Sequence, residues 1–220
     1  RLVDVLRTQM DEWTVKPFDR FVVLTAEDQG YWGALPNIRV IPNPLPFTSE
    51  ETSFCKSTKV VAVGRYDFQK NFSKLLQLWA RIAPQFPEWT LEIYGNGALR
   101  GELEQEVKEL GISSSVTLAQ PTYQMKEVYL SASIYAMTSR YEGLPMVLIE
   151  AQQMGLPIVS FACPCGPRDV IHDGEDGFLI PMGEDDIFLK ALTTLMASEE
   201  KRVCMGQRAR EASARYEVDA

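Results

Sequence analysis

KVVAVGRYDFQKNFSKLLQLWARI, residues 59–82, holds the key to the chain. A β-branched run ends in Gly64, and a polar loop follows. Then Phe72, Leu75, Leu76, Trp79 and Ile82 recur at helical spacing. This is a strand, a turn and a helix. The succession repeats downstream. WTLEIYG (89–95) reads as a strand. Leu99, Leu103, Val107 and Leu110 mark the next helix, which Gly111 ends. SVTLA (115–119) precedes a helix from Tyr123 to Leu130, and SIYAMTS (133–139) precedes one from Pro145 to Met154. LPIVSF (156–161) and GFLI (177–180) are strands, and helices near 184–197 and 199–215 close the chain. Alternating strands and helices predict an α/β fold, a Rossmann-like parallel sheet with helices on both faces. Ligands of such sheets bind at the carboxyl ends of the strands.

The upstream part is less regular. Residues 1–17 read as an amphipathic helix and RFVVLTA (20–26) as a buried strand. Glu27 to Leu35 reads as a short helix, and NIRVIPNPLPF (37–47) as a strand with a proline-rich loop. Thr48 to Lys56 reads as a polar linker, the candidate domain boundary. The chain begins at Arg1 rather than Met, so a missing N-terminus is expected and no targeting signal can be read.

Composition narrows the function. Hydrophobic residues make 45% and charged ones 24%, ordinary for a globular protein. The net charge of −8 argues against a general nucleic-acid partner, which needs a basic face, but allows one anionic small ligand. Cys55, Cys163, Cys165 and Cys204 form no CxxC pair and read as neutral thiols in a reducing compartment. With His172 alone, a histidine triad or histidine metal site is poorly supported, and no metal is expected.

Three stretches could carry chemistry. GRYDFQKN (64–71) opens a helix, and Arg65 and Lys70 there suit a diphosphate; the plain alternative is a solvated pair of cations. YGNGALRG (94–101) has Gly95 and Gly97 between strand and helix. A dinucleotide site would want an acid near the end of the next strand, which instead reads Leu118-Ala119-Gln120, so the expectation is a tight turn that lets a ligand approach. SRYEGLPMVLIEAQQMGLP (139–157) holds Glu142 and Glu150 around an apolar helix with Pro145 at its first turn. Gly143 and Leu144 should leave N–H groups free for an anion. Were both glutamates on the helix axis, they would lie about 12 Å apart, a span that fits a sugar on one side of a diphosphate and a ribose on the other. The alternative is that Glu142 caps the helix and Glu150 is merely paired or exposed.

Together these stretches resemble the C-terminal, donor-binding domain of the GT-B glycosyltransferases of family 4, the group 1 retaining enzymes. The resemblance runs from residue 59 to about 200: the GRxxxQKN loop, the YGxG turn, Glu142 and Glu150 as an E-x7-E motif, and the DGEDGFLI turn, all in family order. IPNPLPF resembles the segment that enters this domain. The resemblance implies that Arg65 and Lys70 hold the donor diphosphate, Glu142 contacts the transferred sugar and Glu150 the ribose. It implies that Gly143 and Leu144 offer N–H groups, and that the base lies near Gln120 to Thr122. It implies no cofactor and no metal beyond the nucleotide-sugar donor. Two departures stand out: Gln120, where the family often has Gly, and CPCGPRD (163–169), where it often has a Gly-Gly turn before Pro-Glu.

On this resemblance residues 1–50 are the remnant of, or connection to, an acceptor-binding domain that is missing, and residues 51–220 are the donor-binding domain. The fragment is expected to be inactive alone. The whole enzyme is expected to move a sugar to a hydroxyl in polysaccharide or glycolipid assembly. Its expected location is cytoplasmic or peripheral to the inner face of the membrane, with membrane contact only through the missing part. The competing readings are a nucleotide-sensing or interaction domain, which has no need of Glu142, and an oxidoreductase, which would carry a Tyr-x-x-x-Lys pair.

Overall fold

The structure, a computed structural model, describes Val15 and residues 17–33 and 35–217. The helix expected over 1–17 lies almost wholly outside the described residues. The first described unit is β1 (Phe21–Val23), α1 (Ala26–Tyr31) and β2 (Ile38–Val40), with the two strands parallel. Thr25 caps α1, its hydroxyl accepting from the Asp28 N–H at 3.1 Å, and Glu27 and Asp28 fill the first turn. Val15, Val23, Leu35 and Ile38 form a small cluster of their own. RFVVLTA was expected to be buried, but Val22 is 47% exposed, because β1 and β2 form a sheet of only two strands with one open face.

The main sheet comprises β3 (Lys59–Val63), β4 (Thr90–Tyr94), β5 (Val116–Ala119), β6 (Ile134–Met137), β7 (Ile158–Phe161) and β8 (Gly177–Ile180). Its order is β5-β4-β3-β6-β7-β8, and every pairing is parallel. The helices between are α2 (Phe72–Ile82), α3 (Arg100–Glu109), α4 (Met125–Ser131), α5 (Met146–Gln153) and α6 (Pro167–Val170). The chain then closes with α7 (Asp185–Ala197) and α8 (Glu199–Ser213). Ser198 separates the last two: its hydroxyl accepts from the Lys201 N–H at 3.2 Å and starts α8. The short α6 was not expected, since four residues are too few to show a helical period.

Strand alternation sorts the core into two layers. Val60, Ala62, Ile134, Ala136, Val159 and Phe161 face α2, α3 and α7. Val61, Tyr135, Met137 and Ile158 face α4, α5 and α6. Both faces are therefore apolar, as a parallel sheet covered on both sides requires. The expected linker is tied down within this fold: Cys55 is 2% exposed, Leu45 packs on the second layer, and the Ser53 N–H donates to the Met154 carbonyl at 2.8 Å.

The order has one reversal. From β3 the chain builds outward through β4 to β5, then returns to lay β6 on the other side of β3. The loops after β3 and β6 therefore meet above this switch point of the sheet, at the carboxyl ends where a ligand is expected.

Candidate functional site

Tyr66 anchors the loop after β3. It is fully buried, and its hydroxyl lies between the carbonyls of Ile93 and Ala119, at 2.7 and 3.0 Å. Gly95 and Gly97 permit this packing. A Cβ at Gly95 would lie 1.9 Å from the Gly64 carbonyl oxygen, and one at Gly97 would lie 2.5 Å from that of Tyr66. The glycine turn expected to admit a ligand thus makes room for the neighbouring loop.

The loops after β3 and β6 are laced together. Asn71, in the left-handed region at φ 53°, donates from Nδ2 to the Thr138 carbonyl and accepts at Oδ1 from Arg140. The Thr138 hydroxyl donates back to the Asn71 carbonyl, and the Arg140 N–H donates to that of Gln69. Gln69 donates to the Tyr141 carbonyl at 3.0 Å and reaches Glu142 Oε2 at 3.4 Å.

This lacing brings Lys70 to Glu142. Lys70 Nζ lies 2.7 Å from Glu142 Oε1, and the two side chains are only 15% and 6% exposed. Gly64 leaves room for the lysine stem, which a Cβ there would meet at 3.0 Å. Arg65 stands apart: its side chain is 76% exposed and pairs with Asp67 at 3.4 Å. It sits just past the end of β3, where its charge is solvated.

Helix α5 starts at Met146, and Pro145 is its N-cap with no side-chain hydrogen bond. Pro145 is therefore one residue earlier than expected, and Glu142 lies outside the helix, so the axial estimate of about 12 Å between the glutamates does not apply. The structure also removes the capping alternative for Glu142, whose carboxylate is committed to Lys70. Among the described residues the N–H groups of Gly143 and Leu144 have no protein acceptor. The Glu142 N–H donates to the Pro164 carbonyl at 2.9 Å. Gly166, at φ 95°, lies against the same turn: a Cβ there would meet Pro145 Cδ at 2.3 Å and the Gly143 carbonyl at 2.7 Å. The departing segment CPCGPRD thus forms the wall behind Gly143.

Glu150 lies in the second turn of α5 and accepts at Oε2 from the Tyr129 hydroxyl, 2.8 Å away. Burial raises its carboxyl above the usual range, while the tyrosine bond opposes the rise. The unfolded chain ionises at the ordinary value, so Glu150 subtracts stability as pH rises from that value through the higher folded one. Glu150→Gln is expected to raise Tm at about pH 7 and to change it little at about pH 4. Equal effects at the two pH values in thermal melts would rule out ionisation as the cause.

Gln120 is exposed just beyond β5, and Thr122 is half-buried, its hydroxyl accepting from the Gln124 N–H at 3.1 Å. Both lie at the sheet edge, about 10 Å from β3 at two strand spacings. Burial pushes the Cys163 thiol up to about 12 and the Cys55 thiol up to about 11, so both stay neutral. None of the four cysteines is in a disulfide. His172 stands in an exposed turn against buried Asp176, at 2.8 Å.

Tyr66, Gln69, Asn71 and Tyr129 had no assigned role in the sequence, although three of them stand in GRYDFQKN. From the first unit, Glu27 pairs with Arg168 at 2.9 Å, and the Ala26 N–H donates to Asp169 at 2.9 Å, which docks α1 on α6. Nothing in the local pattern could have linked these positions.

A family model described as glycosyl transferases group 1 matches residues 48–212. This chain belongs to the group 1 glycosyl transferases. Among relatives of this group 1 chain, the amylovoran biosynthesis glycosyltransferase AmsD of Erwinia amylovora is 38% identical over 208 residues, covering 90% of this chain and 58% of that protein. An alpha-1,4-N-acetyl-D-galactosaminyltransferase of Campylobacter jejuni is 30% identical over 208 residues, covering 92% and 57%. The group 1 chain thus spans little more than half the length of these relatives. In fold it is similar to GT-B glycosyltransferases: TarM at TM-score 0.87 and 20% identity, covering 96% of this chain and 43% of that one. The Anabaena protein HepE, solved with UDP and glucose, gives TM-score 0.84 at 20% identity, covering 97% and 64%. No helix among the described residues of this group 1 chain is long and apolar enough to cross a membrane.

Proposed function

We propose that this chain is the donor-binding half of a retaining, family 4 glycosyltransferase. It moves a sugar from a nucleotide-diphosphate donor to a hydroxyl acceptor in polysaccharide or glycolipid assembly. The carrying observation is the buried Lys70–Glu142 pair beside the unengaged N–H groups of Gly143 and Leu144. A buried cation, a carboxylate and two free donors converge at the switch point of the sheet.

That set suits a phosphorylated sugar. Glu142 Oε2 accepts sugar hydroxyls while Oε1 keeps Lys70 in place. Lys70, the helix start and Arg65, swung in from solvent, meet the diphosphate. As the glycosidic bond lengthens, negative charge gathers on the leaving phosphate, and Lys70 and the helix start, already in place, stabilise it. Glu150 accepts from the ribose, and the base extends toward Gln120 and Thr122 at the sheet edge. HepE was solved with UDP and glucose, which supports a nucleotide-sugar partner for this fold.

Calorimetric titration with UDP, GDP and ADP tests the reading. One nucleotide should bind, and Arg65→Ala and Glu150→Ala should each weaken it by about tenfold or more, the worth of a hydrogen bond to a charged group. Binding indifferent to both substitutions would sink the assignment.

A further inference from the structure

We infer that Tyr129 is a positioning residue of the donor site, holding Glu150 so that one carboxylate oxygen is engaged by the protein and the other is presented to the ribose hydroxyls. The inference rests on the reading of Glu150 as the ribose acceptor.

Tyr129 is fully buried, and among the described residues its hydroxyl is the one group donating to the Glu150 carboxylate. The bond takes Oε2 and leaves Oε1. Glu150 is half-buried, so that second oxygen can meet a ligand. A carboxylate has about four acceptor positions, and fixing one of them orients the rest. The vicinal hydroxyls of a ribose are donors and need such an acceptor.

Tyr129 is itself held in place. Its ring lies 6.2 Å from that of Tyr135, tilted by 48°. The Tyr135 hydroxyl accepts from the Val63 N–H and donates to the Val63 carbonyl, both at 3.3 Å. Val63 ends β3, directly before Gly64 and Arg65. The carboxylate offered to the ribose is thus referenced, through two tyrosines, to the loop that carries Arg65 and Lys70. Burial raises the Tyr129 phenol well above its ordinary value. It therefore remains a donor at neutral pH.

The test compares UDP, GDP and ADP with their 2′-deoxy counterparts by calorimetry, on the parent protein, Tyr129→Phe and Glu150→Gln. The parent should prefer the ribonucleotide by about tenfold. Tyr129→Phe should lose most of that preference and bind the deoxynucleotide within about twofold of the parent. It should also shift the acid limb of ribonucleotide binding to higher pH, because Glu150 loses the bond that favours its ionised form. Glu150→Gln should lose the preference too, since Tyr129 keeps the amide oxygen and turns the NH2 toward the ribose. This second variant keeps the test decisive if Tyr129→Phe does not fold. Equal weakening of both sugars in Tyr129→Phe, or a preference retained in either variant, would overturn the inference. A parent without any preference would overturn the ribose reading itself, and the inference with it.

Discussion

Lys70→Ala is expected to lower stability by about 3–5 kcal/mol, because it leaves the Glu142 carboxylate buried without its cation. Glu142 is 6% exposed and cannot recover the loss by turning into solvent. Gln69, at 3.4 Å, is too long a contact to replace an ammonium at 2.7 Å. Transfer should fall by about 10²–10³-fold or more, since a cation at the leaving phosphate acts only as charge develops. The two effects can be separated. Lys70→Met combined with Glu142→Gln removes both charges and should return much of the stability, because replacing a buried ion pair as a unit is close to neutral. It should not return transfer. Urea unfolding of the three forms, and a transfer assay of the same substitutions in the whole enzyme, check this. A Lys70→Ala variant within about 0.5 kcal/mol of the parent would show that the pair is far better hydrated than its exposure implies.

Gly166→Ala is the second large effect. At φ 95° an L residue is strained by about 1–3 kcal/mol. The added methyl also has to displace Pro145 and the Gly143 carbonyl, which lie 2.3 and 2.7 Å from where it would sit. Overpacking of this kind adds about 1–3 kcal/mol. The push falls on the turn that presents the Gly143 and Leu144 N–H groups, and a shift of about 1 Å there can cost about 10²-fold in rate. The expected outcome is a lower Tm and, with the same substitution in the whole enzyme, a transfer rate reduced more than nucleotide affinity. A rate that falls only in proportion to the unfolded fraction would show that the wall behind Gly143 does not set the donor geometry.

Much of the architecture was legible because it follows local rules. GFLI became β8 and the apolar positions of 72–82 became α2, since strand and helix periods are visible within one element. The glutamates, the lysine and the free N–H groups were legible as candidates because their chemistry is local too. The boundaries of α5 were less so: one residue separates Pro145 as N-cap from Pro145 as first helical residue, and periodicity does not resolve that. The linker reading of 48–56 was weaker still, since a polar segment can lie pinned by backbone hydrogen bonds that leave no mark on its composition.

The sequence by itself determined which elements form and which residue types stand at the strand ends, because propensity, alternation and chain breakers act over a few residues. Only the tertiary structure decided that β6 returns to lie beside β3. That pairing places residue 70 against residue 142, the β6–β7 pairing sets Gly166 behind Gly143, and the packing of the helices before and after β6 brings residue 129 to residue 150. Such contacts join positions far apart in the chain. Their energy comes from burial and charge pairing that exist only once the sheet has closed.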